Sequence, residues 1–465
     1  MPVKKSLVGI FISFTAPLFA LALDGYTVRE ASLIAANNFL NTDAECGERI
    51  WRDYQTPKIN ILFVDDGNSD SYLTALLSEK RLSEIPRATT GLENVGRSTY
   101  SYFQIDGQSW LSINTLKLST KTNLNTLVKL ADETYRLAVH EGFHYMQQRN
   151  WSAREGLRGT LLPIRHEPRV YRTMLMRNLF TAYKNSATRT ADLQQARYWY
   201  DLWFNNYPNE VLSTTDNYEG TAQYVEQRAQ ALVHAGCNAT EETLRDQSLA
   251  LLDPYLDPTL NIYSGDNLDT EGYTIGGLAA LILAHMEDTG WQEQAEQDIT
   301  PLEALMSKFS PQAQATAPGL EEQALAFTTD SQAEAEQTLA STYQTLKNEN
   351  KIFISIPREW KAGSTNYRDF FVDTNLNLSF DVLGQNVRFA DAAQSSWLEI
   401  TDGSVLLGTS LNPCTSRSFS AVLTADYILS GSDKKLEIHT ENLIASINGT
   451  IRQDSAGQRW FCAGE

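Results

Sequence analysis

Residues His140-Glu141-Gly142-Phe143-His144 form an H-E-x-x-H motif, which constrains the local fold more tightly than any other stretch of the chain. On a helix, histidines four places apart point to one face, where both imidazoles can reach a single zinc ion while Glu141 lies beside the position the protein leaves open. A helix is expected here on independent grounds. No proline occurs from Asn125 to Gln148, and Leu127, Leu130, Ala131, Thr134, Leu137 and Ala138 recur at helical spacing, an apolar stripe that runs into the motif. Upstream, Ser101 to Ile105 and Ser109 to Ile113 read as two short strands around the turn residues Asp106-Gly107-Gln108.

A hydrolytic zinc site needs a third protein ligand. A metzincin would carry a glycine three places after the second histidine and a His or Asp three places farther on, but Gln147 and Asn150 stand there, which excludes that branch. The next acidic cluster, Asp216-Asn217-Tyr218-Glu219-Gly220-Thr221-Ala222-Gln223-Tyr224-Val225-Glu226, opens an expected helix reaching Ala235. Its E-G-x-A-x-Y-x-E pattern resembles the second metal helix of the gluzincins, zinc peptidases in which a glutamate completes the site. The resemblance covers the motif helix and this second helix. It implies Glu219 as the ligand, with Gly220 and Ala222 as the small residues that let two helices pack closely. The segment between His144 and Glu219 is much longer than in compact members and must hold extra helices. The resemblance also implies that a strand ahead of the metal helix holds extended substrate.

Two other readings of the cluster stay open. Asp216 and Glu219 have the spacing of a capping box, in which Glu219 would only satisfy backbone N–H groups. Ser213 to Gly220 also approaches the aspartate-ligand pattern G-T-x-D-x-x-Y-G, with the first glycine missing and the tyrosine one place early, which makes Asp216 the rival ligand. Glu226, two turns beyond Glu219, could hold an imidazole N–H from behind. Tyr273, ahead of the apolar, small-residue run Thr274 to Leu283, is a candidate donor to a developing oxyanion. His166, His234, His285 and His439 read as structural or surface residues.

Lys4 and Lys5, the apolar run Leu7 to Phe19 and Ala20-Leu21-Ala22 have the order of a secretory signal peptide, so the mature chain is expected to begin near Leu23 and to be secreted or periplasmic. The run Ile275 to Met286 is too short to span a bilayer and is expected as a buried helix. Cys46, Cys237, Cys414 and Cys462 form an even set without a C-x-x-C pair, as in an exported disulfide protein. Three pairings are possible, and proximity within domains favours Cys414 with Cys462 and Cys46 with Cys237. A net charge of -19 argues against nucleic-acid or anionic-lipid partners.

The expected organisation is a signal peptide (1–22), a zincin-like α+β region, largely helical after the metal helix (23–310), a polar helical linker (311–350) and an all-β sandwich or barrel (351–465). The last reads as short strands at 352–356, 378–382, 387–389, 397–400, 405–407, 419–423 and 435–438. Asn448-Gly449 is expected to turn a final hairpin between 443–447 and 450–452. The function expected is that of an exported zinc peptidase with Glu141 as base and His140, His144 and Glu219 as metal ligands. A non-catalytic binding protein on the same scaffold is the alternative.

Overall fold

A computed structural model describes residues 25–465 except 66–69, 91, 93–94, 97, 122–125, 152–158, 212–214, 253–267, 358–359, 361–366, 384–386, 392, 394, 401–402, 408–411, 415–417, 425–433 and 440–442. The expected signal peptide and cleavage point lie outside the described residues. Helices α1 (Gly25–Asn38) and α2 (Ala44–Ile50) precede strands β1 (Asn60–Phe63), β2 (Ser71–Leu76), β3 (Arg81–Pro86), β4 (Tyr100–Ile105) and β5 (Gln108–Ile113). These strands form one sheet in the order β3-β2-β1-β5-β4, with β1 and β5 parallel and the other pairs antiparallel. Asp106 and Gly107 both have positive φ, so the expected turn is a two-residue hairpin that suits the right-handed twist of its strands. It leaves β4 at the edge of the sheet.

The chain then becomes largely helical: α3 (Thr115–Leu118), α4 (Leu127–Met146), a short strand β6 (Thr160–Leu162), α5 (Glu167–Lys184), α6 (Arg189–Asn206), α7 (Pro208–Val211), α8 (Thr215–Ala235), α9 (Glu241–Leu252), α10 (Leu268–His285), α11 (Trp291–Glu296), α12 (Pro301–Met306) and α13 (Leu320–Lys347). The motif helix α4 starts at the Thr126 cap, whose hydroxyl accepts from the Lys129 N–H at 3.3 Å, and buries Leu130, Ala131, Thr134 and Ala138 from the expected stripe. Gly142 lets Thr56 approach α4, since a Cβ there would lie 2.6 Å from the Thr56 methyl.

Helix α8 packs against both α4 and α10. Its contact with α10 is backbone against backbone: a Cβ on Gly276 would sit 1.9 Å from the Asp216 carbonyl oxygen, and one on Gly220 would sit 2.5 Å from the Gly276 Cα. The expected buried helix at Ile275 is α10, with Ile275, Leu278, Ala279, Ala280, Leu281, Ile282 and Leu283 in the core. Just ahead of Gly272, Glu271 pairs with the buried guanidinium of Arg172 at 2.5 Å, and Glu210 holds the same guanidinium. Among the described residues no helix is long and apolar enough to cross a membrane.

The remaining strands are β7 (Lys351–Pro357), β8 (Tyr367–Asp373), β9 (Leu378–Leu383), β10 (Val387–Ala390), β11 (Trp397–Ile400), β12 (Gly403–Leu407), β13 (Ser418–Thr424), β14 (Lys435–His439), β15 (Leu443–Gln453) and β16 (Arg459–Ala463). Among the described residues they make a sheet in the order β10-β11-β15-β16-β7-β13-β12-β9-β8-β6, with β14 also on β15. The molecule is therefore α+β with a β-rich C-terminal region, and β6, from far upstream, pairs with β8 on its edge. Helix α13, in the segment read as a linker, buries Ala335 and Leu339 against Phe371 and Phe380 of these strands.

The expected hairpin at Asn448-Gly449 is not formed. Strand β15 runs straight through it, pairing with β14 and β11 before Gly449 and with β16 from Gly449 onward. Glycine serves close approach instead of a turn, because a Cβ would lie 2.2 Å from the Cys462 carbonyl oxygen. Cys46 pairs with Cys237 and Cys414 with Cys462, as domain proximity favoured.

The glycine contact makes a direct prediction. Gly276→Ala must push α10 away from α8 and should lower stability by about 1–3 kcal/mol, the usual cost of overpacking, read by urea unfolding. An unchanged midpoint would mean that the two helices do not meet through this contact.

Candidate metal centre

Three ligand-capable atoms meet where α4 crosses α8. His140 Nε2 lies 3.2 Å from Glu219 Oε2, His144 Nε2 lies 3.1 Å from the same oxygen, and the two Nε2 atoms are 3.0 Å apart. The carboxylate and His140 are buried, with His144 partly open. In a tetrahedral zinc site with bonds of about 2.0–2.1 Å, neighbouring ligand atoms stand about 3.3 Å apart, so the triangle has the size for such an ion and the donor set suits it.

The far nitrogens of both imidazoles are held. His140 Nδ1 lies 3.1 Å from Glu226 Oε2, while the other Glu226 oxygen takes the Arg136 guanidinium and the Gln223 amide at 2.6 Å. His144 Nδ1 meets Gln148 Oε1, and the Gln148 amide donates to Thr221 Oγ1 at 2.7 Å and the Tyr218 carbonyl at 2.8 Å. Acceptors in these places fix each ring so that Nε2 carries the lone pair a metal needs. Glu226 was a candidate from its spacing. Gln148, in the turn that follows α4, was missed, although its place four residues after His144 was a usable signal.

Glu141 is buried one residue from His140, and the Tyr102 hydroxyl on edge strand β4 donates to its Oε2 at 2.7 Å. Burial raises the Glu141 carboxyl above its ordinary range, partly offset by the charges of His140 and His144 and by the Tyr102 hydrogen bond. Burial and the adjacent Glu141 charge raise the Tyr102 hydroxyl, which stays a donor. Nothing in the spacing of the sequence pointed to Tyr102, because it reaches Glu141 only through the docking of the sheet against α4. Tyr273 stacks on His140, with ring centroids 5.8 Å apart and planes 11° from parallel.

Asp216 is not part of the cluster. It lies within the first turn of α8 beside the α10 contact, whereas the Glu219 carboxylate is turned to the two imidazoles. Among the remaining histidines, His234 Nε2 meets the Gln230 amide at 2.8 Å, and His285 packs edge-on against Tyr183.

Without a cation the cluster needs protons. Burial alone would lower His140, but its hydrogen bonds with Glu219 and Glu226 outweigh this and lift it to about 10. Burial would raise Glu219, yet hydrogen bonds to His140 and His144 hold it well below the usual carboxylate range. Arg136 and His140 likewise keep Glu226 low against its burial. The pocket is built to hold positive charge, and a proton is the simplest form of it.

Compared with known proteins, the chain matches no family model, no curated protein and no solved structure.

Two predictions follow from this geometry. Glu219→Ala should weaken zinc binding by orders of magnitude, whereas Asp216→Ala should leave it within a few-fold, as read by competition against a chromophoric chelator. The reverse result would reinstate the aspartate ligand. Protonation makes the second. Because the folded metal-free chain holds the His140 proton more tightly than the unfolded chain, that contribution to stability is fully present below about pH 6.5 and is lost as pH rises through about 10. At pH 7 a zinc ion entering the cluster would have to displace this proton. Calorimetric titration in buffers of different ionisation enthalpy should register about one proton released, with affinity rising with pH.

Proposed function

We propose that the protein is an exported zinc peptidase of gluzincin type that hydrolyses peptide bonds with water as the nucleophile. The observation that carries this reading is the convergence of His140 Nε2, His144 Nε2 and Glu219 Oε2 within 3.0–3.2 Å, with Glu141 alongside. Export is supported by the leader-like first 22 residues and by the two disulfides.

In this reading His140, His144 and Glu219 hold the metal, with Glu226 and Gln148 orienting the imidazoles. The chemistry that zinc supplies when bound is Lewis acidity, which brings the pKa of water toward neutrality. Glu141, made more basic by burial, takes the proton of the attacking water as oxygen bonds to the peptide carbonyl carbon. It then passes the proton to the leaving amine as the carbon–nitrogen bond breaks. Tyr102 anchors the Glu141 carboxylate through one oxygen and leaves the other for that transfer. Tyr273, stacked on His140, is the donor to the developing oxyanion. Edge strand β4 offers backbone groups along which an extended peptide can align.

Glu141→Gln should abolish cleavage of a peptide library while zinc content and melting temperature stay near those of the parent, because only the base is removed. Tyr273→Phe should lower kcat about 10²–10³-fold with little change in KM, the usual loss for one oxyanion donor. Stoichiometric zinc in the parent protein without hydrolysis of any library member would replace the peptidase with the binding protein on the same scaffold.

A further inference from the structure

Beside Glu226, which holds His140 Nδ1 and takes Arg136 and Gln223 of the lining, a cavity of about 340 Å³ opens between α4, α8, α9 and α10. That volume is in the range of small-ligand pockets. Tyr273 is the shared wall, since it lines the cavity and stacks on His140. Leu251, Leu252 and Leu278 give the pocket an apolar lining, and its polar groups come from Glu133, Arg136, Gln223 and Gln227.

The polar groups are unevenly matched. Arg136 is neutralised by Glu226, which stands outside the lining and also meets His140 Nδ1, so the Glu133 carboxylate, 3.6 Å from Arg136, is the one acid that faces the cavity. Gln223 donates one of its two amide N–H groups to Glu226. Gln227 is only 4% exposed, and its Oε1 has no hydrogen-bond partner among the described residues. A buried amide oxygen left without a donor costs about 1–3 kcal/mol. The lining therefore offers two acceptors, the Gln227 amide oxygen and the Glu133 carboxylate, beside an apolar surface, the complement of an aliphatic stem that ends in several N–H donors.

We propose that this pocket binds a basic side chain, of the arginine or lysine type, with the aliphatic stem against Leu251, Leu252 and Leu278 and the cationic head toward Gln227 and Glu133. That the side chain belongs to a peptide substrate rests on the peptidase reading, with Tyr273 placing the pocket next to the metal centre. The recognition itself does not depend on hydrolysis.

Calorimetric titration of the zinc-loaded protein, carrying Glu141→Gln so that no turnover interferes, tests this with N-acetyl-arginine amide as probe and N-acetyl-norleucine amide as the neutral control. The arginine probe should bind at least about tenfold more tightly than the control, and Gln227→Leu should remove most of that preference. Glu133→Gln, at a half-buried position where folding is not at stake, should weaken the arginine probe several-fold and leave the norleucine probe unchanged. Equal binding of the two probes, no arginine binding at tens of millimolar, or variants that leave the preference intact would overturn the proposal. Selective binding of arginine by a chain whose parent cleaves no peptide would uphold the pocket and discard the peptidase.

Discussion

The site depends on how closely two helices can approach. Gly220 on α8 meets Gly276 on α10 backbone to backbone, and Gly272 faces Thr215 in the same seam. No side chain separates the helices there, so the seam fixes α8 at the depth where Glu219 reaches the imidazoles of α4. The same contact sets α10 so that Tyr273 lies flat on His140. The neighbouring buried pairing of Arg172 with Glu210 and Glu271 locks α10 near the start of this seam. Ion pairs of this kind stabilise weakly on balance, but breaking one leaves an uncompensated buried charge, so the arrangement resists sliding.

Around that frame the charges are arranged in layers. Glu219 faces the space between the imidazoles, Glu226 and Gln148 stand behind them, and Arg136 stands behind Glu226. Each layer alternates in sign or in donor and acceptor role, which is how a low-dielectric interior tolerates several ionisable groups at once. Glu141 differs from its neighbours. Its anchor is a neutral phenol, not a cation, so burial dominates and the carboxylate becomes more basic instead of less.

Much of this was legible because it is periodic. The four-residue spacing of His140 and His144, the apolar stripe before them and the helix from Asp216 to Ala235 are local patterns, and helix geometry turns such patterns into faces. The strands expected at 352–356, 378–382, 397–400 and 435–438 appear for the same reason. Asn448-Gly449 misled because its turn preference is local, whereas its use here is tertiary. The 11-residue strand β15 carries the chain from one set of partners to another, and glycine is required by the Cys462 backbone beside it. Strand β6 escaped notice because its partner β8 lies some 200 residues away.

By itself the sequence determined the residue types and their local faces: two imidazoles and a carboxylate on one helix, a second carboxylate opening another, four cysteines and a β-rich end. Spacing of three or four residues suffices for that, since it is a property of a single helix. Which carboxylate meets the imidazoles was decided only by the tertiary structure. Asp216 and Glu219 share a helix end and differ by one turn, and the glycine seam with α10 determines which of them faces α4. The partnership of Tyr102 with Glu141, and the pocket behind Tyr273, arise only when sheet and helices dock. No short-range rule couples residues 39 or 133 places apart, because their contact depends on packing that the whole core must agree upon.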